Sequence, residues 1–279
     1  QTLEKKMISR KQFADIDKEI KDSIEESLDK LKTEDFSNYI LFLADAQYVE
    51  NNNSNLDPFC IDYRIDGYQD STRIEFLSQF LTNYYSFPEN TLSTDDNSYR
   101  MNIELMVYTH VWESKSFLKK LYRLAHLNNN EEYDWDVNVP PMGKHDFIID
   151  KIRKVFNNNN LKIWEVIKKG FHTSLRNAFA HSEYSFDRMN NNNRINLYNY
   201  GGKKWELQTI TFDEWSLRFV YSALLGYHFL KIIMERRLNL IEQNDTDIFT
   251  IKYPKKSKNF IDRKIKYSQN GNGFSFVHE

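Results

Sequence analysis

At 279 residues, 40% of them hydrophobic and 15% aromatic, the chain has ample material for a packed core and lies far from the composition of a disordered protein. A formal net charge of -2 gives no global pull towards nucleic acid or anionic lipid, so any polyanion has to be met by a local patch. The single cysteine, Cys60, excludes an intramolecular disulfide and a cysteine-built zinc site, and no run approaches the roughly 20 apolar residues of a membrane span. The opening QTLEKKMISRKQ lacks the apolar stretch of a secretory signal, so a cytoplasmic protein with no membrane contact is expected.

Phe13, Ile16, Ile20, Ile24, Leu28 and Leu31 recur three or four apart with charges between, which predicts a helix with one buried stripe. A second helix is expected over Asn38 to Glu50, ended by NNNSN, and a third over Arg73 to Tyr85 with Phe76, Leu77, Phe80 and Leu81 inward. The intervening PFCIDYRIDGYQ has no assignable character. Asn102 to Leu127 reads as one long helix, with His110 on its apolar side, and Lys144 to Phe156 as a short one ended by NNNN. The next helix starts near Leu161 and runs to about His181.

Beyond it the period changes to two. RINLYNY (194–200) and KWELQTITF (204–212) alternate polar and apolar residues around Gly201-Gly202, a hairpin signal. Thr211 and Glu214 form a capping-box pattern that launches a helix to about Leu240. The remaining tail has short alternating runs of two or three strands. Asparagine runs fall between elements, where asparagine suits turns.

The helix that starts near Leu161 ends in FHTSLRNAFAHSEY, residues 171–184. With about 100° per residue, Ile163, Ile167, Phe171, Ser174, Leu175 and Ala178 share its inward face, and Asn177 and His181 share one flank. Arg176 falls about 140° from His181, so the two reach one small anion only if the helix frays, the arginine wraps around, or a second chain helps. Arginine is a permanently charged fork matched to phosphate oxygens, and histidine is the side chain that titrates near neutrality. Together they suit cleavage of RNA, which carries its own 2′-hydroxyl nucleophile. A helix-ending histidine favoured by the helix dipole and an arginine in a surface ion pair are the structural alternative.

RNAFAH, residues 176–181, resembles the Arg-x4–6-His signature of HEPN domains, and the flanking order of helices, hairpin and last helix is similar over roughly residues 70–240. The resemblance implies a mainly α fold: a HEPN-like helical bundle with a β-hairpin after the motif helix, here joined to a small C-terminal β appendage. The expected division is a helical extension over 1–69, the bundle over 70–245 with hairpin 194–212, and a β-rich basic tail over 246–279. It further implies a metal-independent endoribonuclease without cofactor, a homodimer whose two motifs form one composite site, and a role as a toxin or abortive-infection effector with an antitoxin or regulatory partner. Arg176 and His181 are then catalytic and Asn177 supports them. Some HEPN domains instead dimerise, or bind nucleotides or proteins, without cleaving anything.

Tyr184 is near enough to the motif to touch RNA. The tail sets Lys255, Lys256, Lys258, Arg263, Lys264 and Lys266 among Tyr253, Phe260 and Tyr267. Such a mixture suits single-stranded RNA, and equally an edge hairpin kept soluble by lysines.

Overall fold

The computed structural model describes residues 7–50, 57–88, 93–189, 192–254 and 259–277. The chain is mainly helical with small antiparallel sheets. Helix α1 (Arg10–Glu34) is launched by a capping box in which Ser9 and Gln12 exchange side-chain to backbone hydrogen bonds of 3.0 and 3.1 Å. Ile16, Ile20, Ile24, Leu28 and Leu31 are buried along it. Asp35 caps α2 (Phe36–Leu43), which is shorter than predicted, because Asp45 takes φ 46° and turns the chain into strand β1 (Gln47–Tyr48). Strand β1 pairs with β2 (Phe59–Cys60). Helix α3 (Arg64–Tyr84) begins well before the predicted Arg73; Leu77 and Phe80 are buried along it, whereas Phe76 is exposed.

The long helix expected over 102–127 is two, α4 (Ser98–Glu113) and α5 (Lys115–Leu127), parted at Ser114, whose ψ of 108° is extended. His110, expected in the core, is exposed with its ring 5.9 Å from Phe76. Helix α6 (Lys144–Asp146), a π-helical stretch (Phe147–Arg153) and α7 (Lys154–Asn158) run on without a break, and α8 (Ile163–Gly170) and α9 (Thr173–Ala180) follow. Strands β3 (Tyr184–Asp187), β4 (Arg194–Leu197) and β5 (Thr209–Thr211) form one antiparallel sheet in that order. The expected hairpin is therefore corrected in two ways: its strands are joined by loop 198–208 rather than a tight Gly-Gly turn, and a third strand precedes them.

The predicted capping box opens α10 (Phe212–Leu238): the Glu214 N–H donates to Thr211 Oγ1 at 3.2 Å and the Thr211 N–H to the Glu214 carboxylate at 3.1 Å. Helix α10 is long and apolar enough to cross a membrane by composition alone, but 72% of its most apolar window is buried inside the protein. Helix α11 (Leu240–Asn244) leads into a third sheet, β6 (Ile248–Pro254), β7 (Phe260–Ser268) and β8 (Gly273–Phe276).

Two compact units alternate along the chain, one made of residues 1–23, 74–114 and 163–228, the other of 24–73, 115–162 and 229–279. These limits cut across the divisions expected at 69 and 245. In the first unit, Leu105, Tyr108, Trp112, Ile167, Leu175, Trp215 and Phe219 make the core. A buried carboxylate lies inside it: Glu104 accepts from the Tyr85 hydroxyl (2.7 Å) and the Trp215 indole (3.0 Å) and pairs with Arg100 at 3.0 Å. Burial pushes the Glu104 carboxyl up, against the pull of Arg100 and these donors.

The second unit holds a buried ionic cluster in which Lys120 meets Asp45 at 2.6 Å and Asp70 at 2.9 Å, with Arg123 3.4 Å from Asp45. Its C-terminal sheet is integral rather than appended. Phe249, Ile251, Tyr253, Ile265 and Tyr267 are buried, and β6 packs on α2.

Candidate active site

The motif helix is short, because the chain breaks at His172, where the backbone is extended at φ −147°. Tyr108 fixes the break: its hydroxyl accepts the His172 N–H at 2.8 Å and lies 3.3 Å from the Gly170 carbonyl. A Cβ on Gly170 would meet Ser222 Oγ at 3.0 Å, so the close approach of α8 to α10 favours glycine there. His172 Nδ1 accepts the Ser174 N–H at 3.2 Å and caps α9. Despite the break, all six residues assigned to the inward face are buried.

At its other end α9 closes in a Schellman motif. The Glu183 N–H donates to the Ala178 carbonyl (2.7 Å) and the Ser182 N–H to the Phe179 carbonyl (3.3 Å), with Ser182 left-handed at φ 58°. His181 is the C-cap, at φ −104° and ψ 4°, and has left helical geometry. The helix thus ends at His181 in an ordered cap, and this residue is exposed.

Arg176 and His181 do not meet. Arg176 turns towards the end of α4, where its Nε lies 3.0 Å from Glu113 Oε1 with only 13% of the side chain exposed. Glu113 was not legible as a partner, since nothing in the sequence marks a carboxylate far upstream. Asn177 is half-buried, and among the described residues neither its amide nor the His181 ring makes a side-chain hydrogen bond. Tyr184 anchors β3: its hydroxyl donates to Asn102 at 2.8 Å, its ring meets Phe179 edge-on at 5.4 Å, and burial raises its phenol pKa.

The basic tail divides. Lys255, Lys256 and Lys258 lie outside the described residues. Arg263 is stacked on Tyr253 (4.6 Å) and Phe276 (3.8 Å) and lies 3.7 Å from Asp57, and Lys266 pairs with Asp247 at 3.1 Å. Lys264 makes no ion pair among the described residues. The tail aromatics Tyr253 and Tyr267 are buried, so their rings are not offered to bases, and the packing favours the structural reading of this sheet.

The third tail aromatic, Phe260, is 41% exposed, and further exposed aromatics lie in loop 198–208, whose residues were expected in the two hairpin strands around Gly201-Gly202. Tyr198 is 65% exposed, Tyr200 44% and Trp205 39%. A cavity of about 500 Å³ lies in the same unit, lined by Asp15, Glu19, Lys169, Glu214 and Arg218 among others. Within it Glu19 takes Lys169 (2.5 Å) and the Tyr221 hydroxyl (2.6 Å), and Arg218 donates to the carbonyls of Lys168 (3.3 Å) and Phe171 (3.1 Å). Among the described residues no three His, Cys, Asp or Glu side chains gather as a metal would need. Neither a protein-family model, nor a curated protein, nor a solved structure matches this chain.

Proposed function

We propose that the chain is a metal-independent endoribonuclease of HEPN type, acting in the cytoplasm as a toxin or phage-defence effector. The observation that carries this reading is the exposed imidazole of His181, set at the end of a short helix that also bears Arg176. His181 takes the proton of the RNA 2′-hydroxyl as its oxygen attacks phosphorus. The bond from phosphorus to the 5′-oxygen breaks, a proton returns to that oxygen, and a 2′,3′-cyclic phosphate remains. Arg176 stabilises the charge gathering on the phosphorane oxygens. A single imidazole cannot hold base and acid roles in one concerted step. A homodimer with two facing motifs supplies the second, and also an arginine to an imidazole of the other chain.

Arg176 must then be drawn from Glu113, and RNA phosphate is the anion able to compete for it, by a bidentate contact that Nε alone does not use. The same ion pair favours a second reading, a non-catalytic HEPN-type module that dimerises or binds a nucleotide or protein, in which Arg176 only ties α9 to α4. Substitution separates them. Under the ribonuclease reading Arg176→Ala and His181→Ala each lower single-turnover cleavage of RNA at least about a hundredfold while circular dichroism stays that of the wild type. A folded wild-type dimer that cleaves no RNA supports the module instead.

A further inference from the structure

Loop 198–208 is fastened to the motif helix at both of its ends. The Tyr198 N–H donates to the Glu183 carbonyl at 2.9 Å, two residues past His181. The Asn199 amide donates to the Ser174 carbonyl (2.8 Å), and the Leu207 N–H donates to Ser174 Oγ (3.1 Å), at the start of α9. The loop therefore lies along the helix that carries Arg176 and His181. It is internally ordered: the Glu206 carboxylate accepts the N–H groups of Gly201 (2.7 Å) and Lys203 (3.1 Å), and Gly202 sits at φ 89°, where glycine is favoured.

This ordered loop presents rings to solvent. The Tyr198 hydroxyl is tied to Ser185 at 2.7 Å, which fixes the ring while 65% of the residue stays exposed. Trp205 is 39% exposed, with the Lys203 ammonium 5.5 Å from its ring centre and the His172 ring 6.5 Å away. Lys203 and Lys204 are both exposed, and Glu206 is turned inward on the loop's own N–H groups, so the outward face is aromatic and cationic. In the C-terminal sheet Tyr253 and Tyr267 are buried and Lys266 is paired, while Phe260 is 41% exposed.

We infer that loop 198–208 is the platform on which single-stranded RNA is held against the motif helix, bases stacking on Tyr198, Tyr200 and Trp205 and phosphates meeting Lys203 and Lys204. The inference rests on the ribonuclease reading of Arg176 and His181 and names its substrate as unpaired RNA. Every base has a face to stack, so the loop selects single strands over duplex and is tolerant of sequence. An RNA duplex keeps its bases paired and stacked inside, away from these rings.

The test is binding of a fluorescein-labelled 2′-O-methyl oligoribonucleotide, which lacks the nucleophile and cannot be cleaved, to the full chain by anisotropy. Trp205→Ala and Tyr198→Ala are each expected to weaken binding about tenfold, with Trp205→Phe nearly as tight as wild type. Lys203→Ala and Lys204→Ala are each expected to flatten the slope of log affinity against log salt by about 0.7. Unchanged affinity in both ring variants overturns the inference, as does a wild type that binds no oligonucleotide. It is also overturned if Trp205→Ala dissociates a dimer in sedimentation without weakening RNA binding, because the rings then meet a second copy of the chain. Cleavage of the unmodified oligonucleotide is measured alongside. Ring-dependent binding without cleavage by the wild type removes the ribonuclease reading and leaves the platform. Cleavage with ring-independent binding removes the platform and leaves the ribonuclease.

Discussion

Ser182 is the residue on which the exposure of His181 turns. A left-handed C′ position is where glycine is favoured, and a side chain there costs about 1 kcal/mol. We expect Ser182→Gly to raise stability by about 1 kcal/mol, read as a shift of the urea midpoint without change of slope. A loss of stability would mean that the serine side chain makes up for its backbone. RNAFAH was legible from residue types alone, and so were the six buried positions of its helix. The break at His172 was not, because an extended histidine held by a tyrosine from another helix leaves no local mark. Nor was the Arg176–Glu113 pair, a contact set by how α9 packs on α4.

Among the elements, α1 and α10 show how far local signals reach. The Thr211–Glu214 box was legible and starts α10 where expected, whereas the Ser9–Gln12 box that opens α1 was not read from the sequence. The split at Ser114 carries neither glycine nor proline and could not be seen. Strand β3 follows the motif at once and was masked by it, and the Gly201-Gly202 signal marked a turn within a loop rather than a hairpin tip.

In the first unit α1 is bound to α10 through Asp17, whose Oδ1 lies 2.6 Å from His228 Nε2, and the Tyr221 hydroxyl donates to Glu19 at 2.6 Å. Burial works to raise the Asp17 carboxyl, but hydrogen bonds from His228 and Lys21 outweigh it and lower the pKa from 3.8 to about 2. A depressed carboxyl stabilises the fold above its unfolded pKa, and that contribution is lost as pH falls through the folded value. Asp17→Asn is therefore expected to remove about 1 kcal/mol at neutral pH, after discount for solvent screening, and to leave a shallower decline of stability between pH 4 and pH 2. Identical acid limbs in variant and wild type would show that the pair does not contribute.

For the whole molecule, composition indicated a sizeable core and the three-to-four-residue apolar spacing along the chain a mainly helical protein, and the chain is mainly helical with a large buried core. The way each unit is assembled from three separate segments of the chain was beyond sequence reasoning. Units built from 1–23 with 74–114 and 163–228 depend on long-range contacts, which periodicity within any one segment does not record. The basic tail illustrates the same limit. Its alternation of lysines and aromatics read as an RNA surface or as a sheet edge, and only packing shows Tyr253 and Tyr267 turned inward. The central claim is chemical, that an imidazole and a guanidinium on one short helix cleave RNA through its own 2′-hydroxyl. The most direct measurement is to incubate purified wild type and His181→Ala with RNA in EDTA and identify the product ends. The account predicts 2′,3′-cyclic phosphate and 5′-hydroxyl ends from the wild type alone; equal cleavage by the variant, or 3′-hydroxyl and 5′-phosphate ends, would contradict it.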